Sequence, residues 1–287
     1  DILRKAIGKK NPSEMAKVKK MFTSGAKTLD LVTKSQSEEI FGWIEKSQRY
    51  RFNKSHAVSY AINGYMSAYC KAHFKKEFFT SYLFYSKEKQ KPHEEINELI
   101  NNAKTMDVGI WPPNIIKKNK HFKLEEEKIY FGLSDIKGVG ESVIKKIKDL
   151  ELEIKEETGS SLEDLTSLQF LVFFAKRINI TAAKALISCG AASSFDRDRT
   201  KNIHYLDILS ALSKKEFDWL REYAKDNNKA DLKNAIEAML RAGIPTKLRM
   251  AKVQGLLTSI KAPPFPLEDG AEWVSGVEES LLGISLT

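Results

Sequence analysis

Apolar side chains recur at helical spacing through most of the chain. Met15, Val18 and Phe22 follow this spacing, and they predict a helix that ends at Gly25. The same pattern predicts helices at residues 38–48, 55–78 and 94–107, two or three short helices within 161–188, and further helices within 201–260. The fold is therefore expected to be mainly α.

Prolines and charged stretches interrupt this pattern. Pro112 and Pro113 end the helical spacing, and the apolar segments on either side of Glu125–Glu127 predict a small β-hairpin near residues 120–133. The charged stretch 151–160 is predicted to be a linker. The proline-rich stretch 262–266 is predicted to connect the helices to a short final segment.

Composition narrows the class of protein. Of the 287 residues, 42% are hydrophobic and 30% are charged, which suits a globular protein and argues against a disordered tail. No apolar run approaches the ~20 residues of a membrane-spanning helix, so no membrane is expected as a partner. The two cysteines, Cys70 and Cys189, are too few and too far apart for a disulfide framework or a structural zinc cluster.

Positive charge is concentrated in the first quarter of the chain. The formal net charge is +9, and residues 1–76 contain 16 basic and 6 acidic side chains, so the rest of the chain is close to neutral. A local basic field raises the concentration of polyanions near that surface. For a basic stretch taken alone, a solvated lysine-rich helix face is the simpler interpretation.

One basic cluster coincides with the start of a predicted helix. Its members are Arg49, Arg51, Lys54 and His56. Ser55 or Asn53 can cap this helix, whose first turn offers unpaired N–H groups and about half a positive charge. The cluster suits a phosphate chain, although a capped helix with incidental surface charge explains the spacing equally well.

A second candidate for phosphate binding is the glycine-rich stretch within residues 133–147. A helix that ends in Gly-Val-Gly and is followed at once by another helix predicts a helix-hairpin-helix, whose exposed amides bind DNA phosphates without reading base sequence. The candidate DNA-backbone contacts are Lys137, Gly138, Val139, Gly140, Lys145 and Lys146. A purely structural tight turn is the alternative. Residues 178–190 resemble a degenerate second copy without Gly-x-Gly, for which packing is the simpler role.

Catalytic residues are not evident. Two-metal phosphoryl transfer needs carboxylates that hold cations about 3.5–4 Å apart, and the only Asp-x-Asp pair, Asp196 and Asp198, lies in a turn-like stretch flanked by arginine. The five histidines lack the spacing of metal ligands, and no Walker loop or Gly-x-Ser-x-Gly sequence is present. We therefore expect neither a metal site nor a catalytic residue in this chain.

A series of motifs, taken in order, resembles one family of polymerases. They are Leu3–Lys10, Phe52–Ala57, Lys71–Phe74, Pro112–Asn114, Phe131–Leu133, Ile136–Glu141, Ser161–Leu165, Leu186–Ala191 and Glu279–Gly283. The same motifs follow in this order in the bacterial C-family of replicative DNA polymerases, the α subunits of DNA polymerase III. The resemblance covers about residues 1–200 and returns briefly at 272–287.

The resemblance implies the later part of the polymerase fingers together with the helix-hairpin-helix region associated with clamp binding. Residues 1–130 would then belong to the fingers, 131–200 to a helix-hairpin-helix DNA-binding region, 201–260 to a helical region without an assigned role, and 261–287 to a linker toward an oligonucleotide-binding domain. Asp1 stands in the place of a start methionine, so a piece of a longer protein is expected.

The resemblance also assigns roles to basic residues. In the family, the Arg-Lys and Asn-Lys-Ser-His motifs face the triphosphate of the incoming nucleotide, which implies a dNTP site formed by Arg4, Lys5, Lys54, Ser55 and His56. The palm, which would hold catalytic Mg²⁺, is not matched, so the chain alone is expected to be inactive. Expected partners are primer–template DNA, a dNTP and the palm and thumb portion, in the cytoplasm of a bacterial or phage-infected cell.

The chain departs from the family in two places. Arg49-Tyr50-Arg51 replaces a glycine-rich Gly-Tyr-Gly, which would either add phosphate contacts or alter the turn. Residues 201–260 match poorly, and the string closest to a sliding-clamp motif, Gln254–Thr258, lacks the usual aromatic ending. This divergence suits a phage-encoded polymerase. A second hypothesis is a stand-alone, non-catalytic DNA-binding or polymerase-regulating module.

Overall fold

The structure is a computed structural model that describes residues 2, 5–6, 12–30, 32–47 and 54–286. These residues form thirteen α-helices and one small sheet. The mainly α prediction is confirmed. The chain divides into two compact units, Asp1–Tyr69 and Cys70–Thr287. The helices are α1 (Pro12–Thr28), α2 (Lys34–Ser47), α3 (Lys54–His73), α4 (Lys75–Tyr85), α5 (Pro92–Thr105), α6 (Glu141–Thr158), α7 (Ser167–Phe174), α8 (Ile180–Ser188), α9 (Arg199–Ala211), α10 (Lys214–Asp226), α11 (Leu232–Arg241), α12 (Lys247–Lys261) and α13 (Ala271–Leu282).

A small apolar core holds α1 against α2 in the first unit. Met15, Val18 and Phe41 are buried in it, and the rings of Phe22 and Phe41 lie 5.7 Å apart. Gly25 does not end α1, contrary to the prediction, because the helix continues to residue 28. A glycine inside a helix costs only about 1 kcal/mol relative to alanine, so neighbouring packing can outweigh it.

Helix α3 differs from the other long helices because none of its 20 residues is buried. Large side chains that are 47–71% exposed form a stripe on one side of it: Val58, Ile62, Tyr65, Met66 and Tyr69. Their spacing places them on one helical face. The single helix predicted for residues 55–78 is interrupted at Phe74, which lies between α3 and α4.

The small sheet has three short strands. Strands β2 (Lys123–Glu125) and β3 (Lys128–Tyr130) form the antiparallel hairpin that the alternation predicted, and β1 (Ile110–Trp111) adds in parallel to β3. The tip residues Glu126 and Glu127 both have positive φ, at 51° and 63°, as a type I′ turn requires.

One hydrophobic core extends through the second unit, from Phe79 to Ile284. Helix α7 packs against α10, α8 packs against α9 and α13, and α11 packs against both α10 and α12. Residues on both sides of the predicted domain boundaries at 130, 200 and 260 contribute to this core.

Two segments that the sequence analysis treated as linkers are helical. Residues 151–158 continue α6, in which Leu150 and Ile154 are buried. Residues 271–282 form α13, in which Glu278 is buried and pairs with Arg199 at 2.8 Å. In both segments the charged residues lie on an amphipathic helix or in a buried ion pair, and Ile154 and Leu282 join the core.

Candidate nucleic-acid interface

The glycine-rich turn between β3 and α6 is tightly folded. A single 3₁₀ turn, Leu133–Asp135, precedes it in place of the full helix that was predicted. The Val139 amide donates to the Ile136 carbonyl at 3.0 Å, and Gly138 has a φ of +87°, in the left-handed region that favours glycine. The turn ends at Gly140, the N-cap of α6.

Buried contacts fix the position of this turn. A Cβ on Gly132 would lie 2.4 Å from the Cα of His121, so only glycine fits there. Lys87 pairs with the buried Asp135, and its Nζ lies 3.0 Å from His121 Nδ1. Burial raises the pKa of Asp135, and Lys87 opposes that shift. Burial and the charges of Lys87 and Lys120 lower the pKa of His121.

Several backbone amides at the turn are left unpaired. The amides of Gly138, Gly140, Glu141 and Ser142 donate no hydrogen bond to any group within residues 54–286. Three of these four are the N-cap and first residues of a helix, where N–H groups and the helix dipole create partial positive charge. The Lys137 amide, in contrast, donates to the Leu281 carbonyl of α13 at 2.9 Å.

The predicted DNA-contacting side chains around the turn differ in their exposure to solvent. Lys137, Lys145 and Lys146 are exposed. Val139 is only 3% exposed, so its side chain packs in the core, and its amide donates to the Ile136 carbonyl within the turn. Glu141 is the acidic residue closest in sequence to the Gly138–Gly140 turn. Its pairing with Lys120 lowers its pKa and offsets its charge.

In the turn between α7 and α8, at residues 175–179, both cationic side chains contact other groups of the second unit. Lys176 Nζ donates to the Leu212 carbonyl at 3.1 Å and lies 4.3 Å from the ring centroid of Phe217. Burial lowers the pKa of this lysine. Arg177 pairs with Glu153. Both cations are therefore engaged by groups of the same unit. The predicted degenerate copy at residues 178–190 consists mostly of α8, in which six residues are buried.

The predicted triphosphate site lies partly at the start of α3. Lys54, Ser55 and His56 occupy its first turn, are exposed, and have no acidic residue beside them in that turn. The His56 and Tyr60 rings lie 4.4 Å apart. Lys5 is exposed as well. Arg4 lies outside the described residues, as do the cationic residues Arg49 and Arg51 and the capping candidate Asn53.

The Asp-x-Asp pair is engaged by a lysine. Lys201 Nζ lies 2.8 Å from Asp196 and 3.0 Å from Asp198, and Ser167 donates to Asp196. No group of three His, Cys, Asp or Glu side chains in the described ranges could hold a metal ion. Likewise, no described helix combines the length and hydrophobicity that a membrane crossing requires.

Comparison with known proteins links this turn to a family. A family model described as a helix-hairpin-helix motif matches residues 107–202, which contain the whole turn. The DNA polymerase III α subunit of Aquifex aeolicus is 33% identical to the chain, over 99% of the chain and 23% of its own length. The chain belongs to the family of DNA polymerase III α subunits.

Other α subunits match a smaller share of the chain. That of Thermus aquaticus is 34% identical over 73% of the chain, and that of Deinococcus radiodurans is 32% identical over 68%. These alignments cover 16% and 14% of the relatives, so the chain spans less than a quarter of the length of the α subunits it matches. The kinship does not favour the stand-alone module.

The string closest to a clamp motif lies inside a helix of this chain. Gln254–Thr258 is part of α12, and Leu256 and Leu257 pack against the core of the second unit. Both leucines are partly buried, so they are not fully displayed for a partner. Clamp binding stays a prediction.

Sequence reasoning missed the residues that support the turn. Lys87 and Asp135 are far apart along the chain, and neither belongs to a recognisable local motif. The one available signal was Gly132, next to the buried Phe131 and Leu133, because a glycine between buried apolar residues indicates a close backbone approach.

Proposed function

We propose that the chain is the portion of a replicative DNA polymerase that binds primer–template DNA and the triphosphate of the incoming dNTP. The relatives are α subunits of DNA polymerase III, and the chain matches them over nearly its whole length. The proposal places its action in the cytoplasm of a bacterial or phage-infected cell.

One observation supports the DNA-binding part most strongly. Four unpaired amides lie at the Gly138–Gly140 turn, and three exposed lysines flank it. Phosphate oxygens accept hydrogen bonds from such amides, and these contacts position a duplex without reading its sequence. The buried Lys87–Asp135 pair holds the turn in place before DNA arrives.

The triphosphate part is supported by the first turn of α3. Lys54 and His56 add charge and donors to a helix start that has no acidic residue, so a polyphosphate there meets little repulsion. Their role would be electrostatic, stabilising negative charge as pyrophosphate leaves. The Mg²⁺ that activates the reaction would be held by carboxylates of the palm, outside these 287 residues.

The palm-bearing portion of the polymerase is the proposed partner of α3. Solvent reaches every side of this helix, including the stripe from Val58 to Tyr69. Exposed apolar patches of this kind mark interaction surfaces. The aligned relatives are more than four times longer than the matched segment, which supplies the polypeptide that would cover it.

Binding of the full chain to a short labelled duplex tests the hairpin. Valine at Gly138 cannot adopt a φ of +87° without strain, so Gly138→Val should disturb the amide cradle. We expect duplex affinity to fall about ten-fold, the loss of roughly one charge-assisted hydrogen bond, with no change in base preference. Fluorescence anisotropy measures both.

Gly159→Val is the matched control. Gly159 caps the opposite end of the same helix with a φ of +70°, so it suffers similar strain away from the turn. If both variants lose affinity equally, or neither does, the hairpin is structural only. Lys145→Gln with Lys146→Gln provides a milder test, because the salt dependence of duplex binding should fall by about 1.8 in slope.

A further inference from the structure

A groove of about 660 Å³ lies beside the hairpin in the second unit. Five lysines line it: Lys117, Lys118, Lys120, Lys123 and Lys148. The hairpin and the groove are neighbours, because Lys120 on the groove wall pairs with Glu141, the first residue of α6. Helix α6 also lines the groove, through Lys148, Glu151 and Leu152.

Three of these lysines are paired with glutamates at the edge of the groove. Lys118 pairs with Glu151 at 2.5 Å, Lys117 with Glu126 at 3.0 Å and more distantly with Glu125, and Lys120 with Glu141. Such partly exposed pairs contribute at most about 1 kcal/mol, so a phosphate can replace the carboxylate.

The other two lysines of the groove can bind a phosphate without first losing a carboxylate partner. Lys123 and Lys148 are exposed and have no ion pair within residues 54–286. Lys145 lies one turn before Lys148 on the same face of α6, and Glu141 lies one further turn back on that face. The row of free lysines therefore leads from the hairpin into the groove, over about 10 Å of helix.

An aromatic side chain gives the groove a surface for bases. Phe84 lines it and is 42% exposed, and its ring packs edge-on against that of His121 at 5.2 Å. A duplex hides the faces of its bases, whereas a single strand can stack them on an aromatic ring while cations hold its phosphates. The combination of free lysines and a half-exposed ring fits single-stranded nucleic acid better than duplex.

We propose that this groove binds single-stranded DNA, with Lys123 and Lys148 holding phosphates and Phe84 stacking a base. The proposal rests on the proposed function only for the choice of DNA as the ligand. It adds to the hairpin a second DNA contact with a different strand preference. The lysine-rich run at residues 117–123 is its sequence signature.

Anisotropy with labelled oligo(dT) of about 16 nucleotides, and with the duplex used for the hairpin, tests this on the full chain. Each charge lost from a single-strand site lowers the salt slope by about 0.7, so Lys123→Gln with Lys148→Gln should lower it by about 1.4. That corresponds to about 25-fold weaker binding at ~0.1 M salt when affinity at 1 M is unchanged. Phe84→Leu should weaken oligo(dT) binding while leaving the salt slope unchanged.

The control removes the same charge elsewhere in the unit. Lys215 and Lys252 are exposed and have no ion pair among the described residues, so Lys215→Gln with Lys252→Gln should leave the slope unchanged. An unchanged slope in the Lys123/Lys148 variant, or an equal change in the control, overturns the groove proposal. If oligo(dT) binding behaves as expected while the wild type does not bind duplex, the groove stands and the hairpin assignment falls. If neither DNA binds, both fall.

Discussion

Helices α7 and α3 are both rich in apolar side chains, yet they have opposite environments. Seven of the eight residues of α7 are buried, including Phe173 and Phe174, whereas none of the 20 residues of α3 is buried. Even the polar Gln169 of α7 is satisfied, because its Nε2 donates to the Ala224 carbonyl and to Asn228 at 3.0 Å each. Helix α7 packs against α6, α9 and α10 of its own unit.

The difference separates two uses of hydrophobic residues. In α7 they stabilise the fold, since burial removes apolar surface from water. In α3 they remain exposed, so they contribute little to the stability of this chain, and the proposed partner of α3 is what they would contact. The two helices should therefore respond differently to the same kind of substitution.

The largest effect is expected from Phe174→Ala. Phe174 is fully buried, with its ring centroid 4.8 Å from that of Phe170, so its loss leaves a cavity and should lower the free energy of unfolding by about 3–5 kcal/mol. Tyr65→Ala on α3, where the side chain is 71% exposed, should change it by no more than about 0.5 kcal/mol. Urea denaturation measures both, and similar losses in the two variants would contradict the comparison.

A smaller effect is expected at Glu216, on the helix that packs against α7. Glu216 accepts hydrogen bonds from Arg249 at 2.6 and 3.1 Å, which lower its pKa to about 2. Because the pKa is lowered in the folded state, its stabilisation is complete above about pH 4.5 and is lost as the pH falls toward 2. Glu216→Gln should therefore cost about 3 kcal/mol at pH 7 and progressively less below pH 4.5.

Denaturation of the wild type and of Glu216→Gln at neutral and acidic pH provides the measurement. Glu222→Gln, on the same helix, is the control, because Glu222 is 70% exposed and pairs only at the surface with Lys225. Its effect should stay small at every pH. A stability difference for Glu216→Gln that does not narrow in acid would show that the pair does not act through charge.

The smallest effect concerns α3 itself. In a polymerase assembled with the palm-bearing portion, Lys54→Ala or His56→Ala should raise the KM for nucleotide or lower the rate about ten-fold for each 1.4 kcal/mol lost. Stability should hardly change, because both side chains are exposed. Steady-state kinetics measure the first quantity and urea denaturation the second.

Lys27→Ala is the reference for this pair of variants, since Lys27 is an exposed lysine of α1. Normal nucleotide kinetics in both α3 variants would remove the triphosphate assignment. An equal change in the Lys27 variant would point instead to a general effect of charge.

Local patterns were sufficient for most of the fold. The helix near residues 94–107 and the hairpin near 120–133 follow from apolar spacing and turn residues, and both are present. The charged stretch 151–160 was expected to be a linker, but it continues α6, where Glu153 and Glu157 pair with Arg221 of α10. Charge alone does not distinguish a linker from a helix whose charged side chains form ion pairs with a neighbouring helix.

The candidate site was predictable only where its residues are contiguous. Gly138 and Gly140 stand within one motif, so the hairpin was visible. The groove was not, because residues 77–130 contain equal numbers of basic and acidic side chains, nine of each, and cancel along the sequence. In space, Lys123 of this stretch and Lys148 of α6 line one groove, and neither has an ion pair among residues 54–286.

The hydrogen bond from the Lys137 amide to the Leu281 carbonyl makes the last helix a clasp on the hairpin. Helix α13 is itself held in place, because Val274 and Leu282 are buried and Glu278 pairs with Arg199. The geometry of the turn therefore depends on residues near the opposite end of the second unit's sequence, and a substitution that loosens α13 is expected to loosen the turn as well.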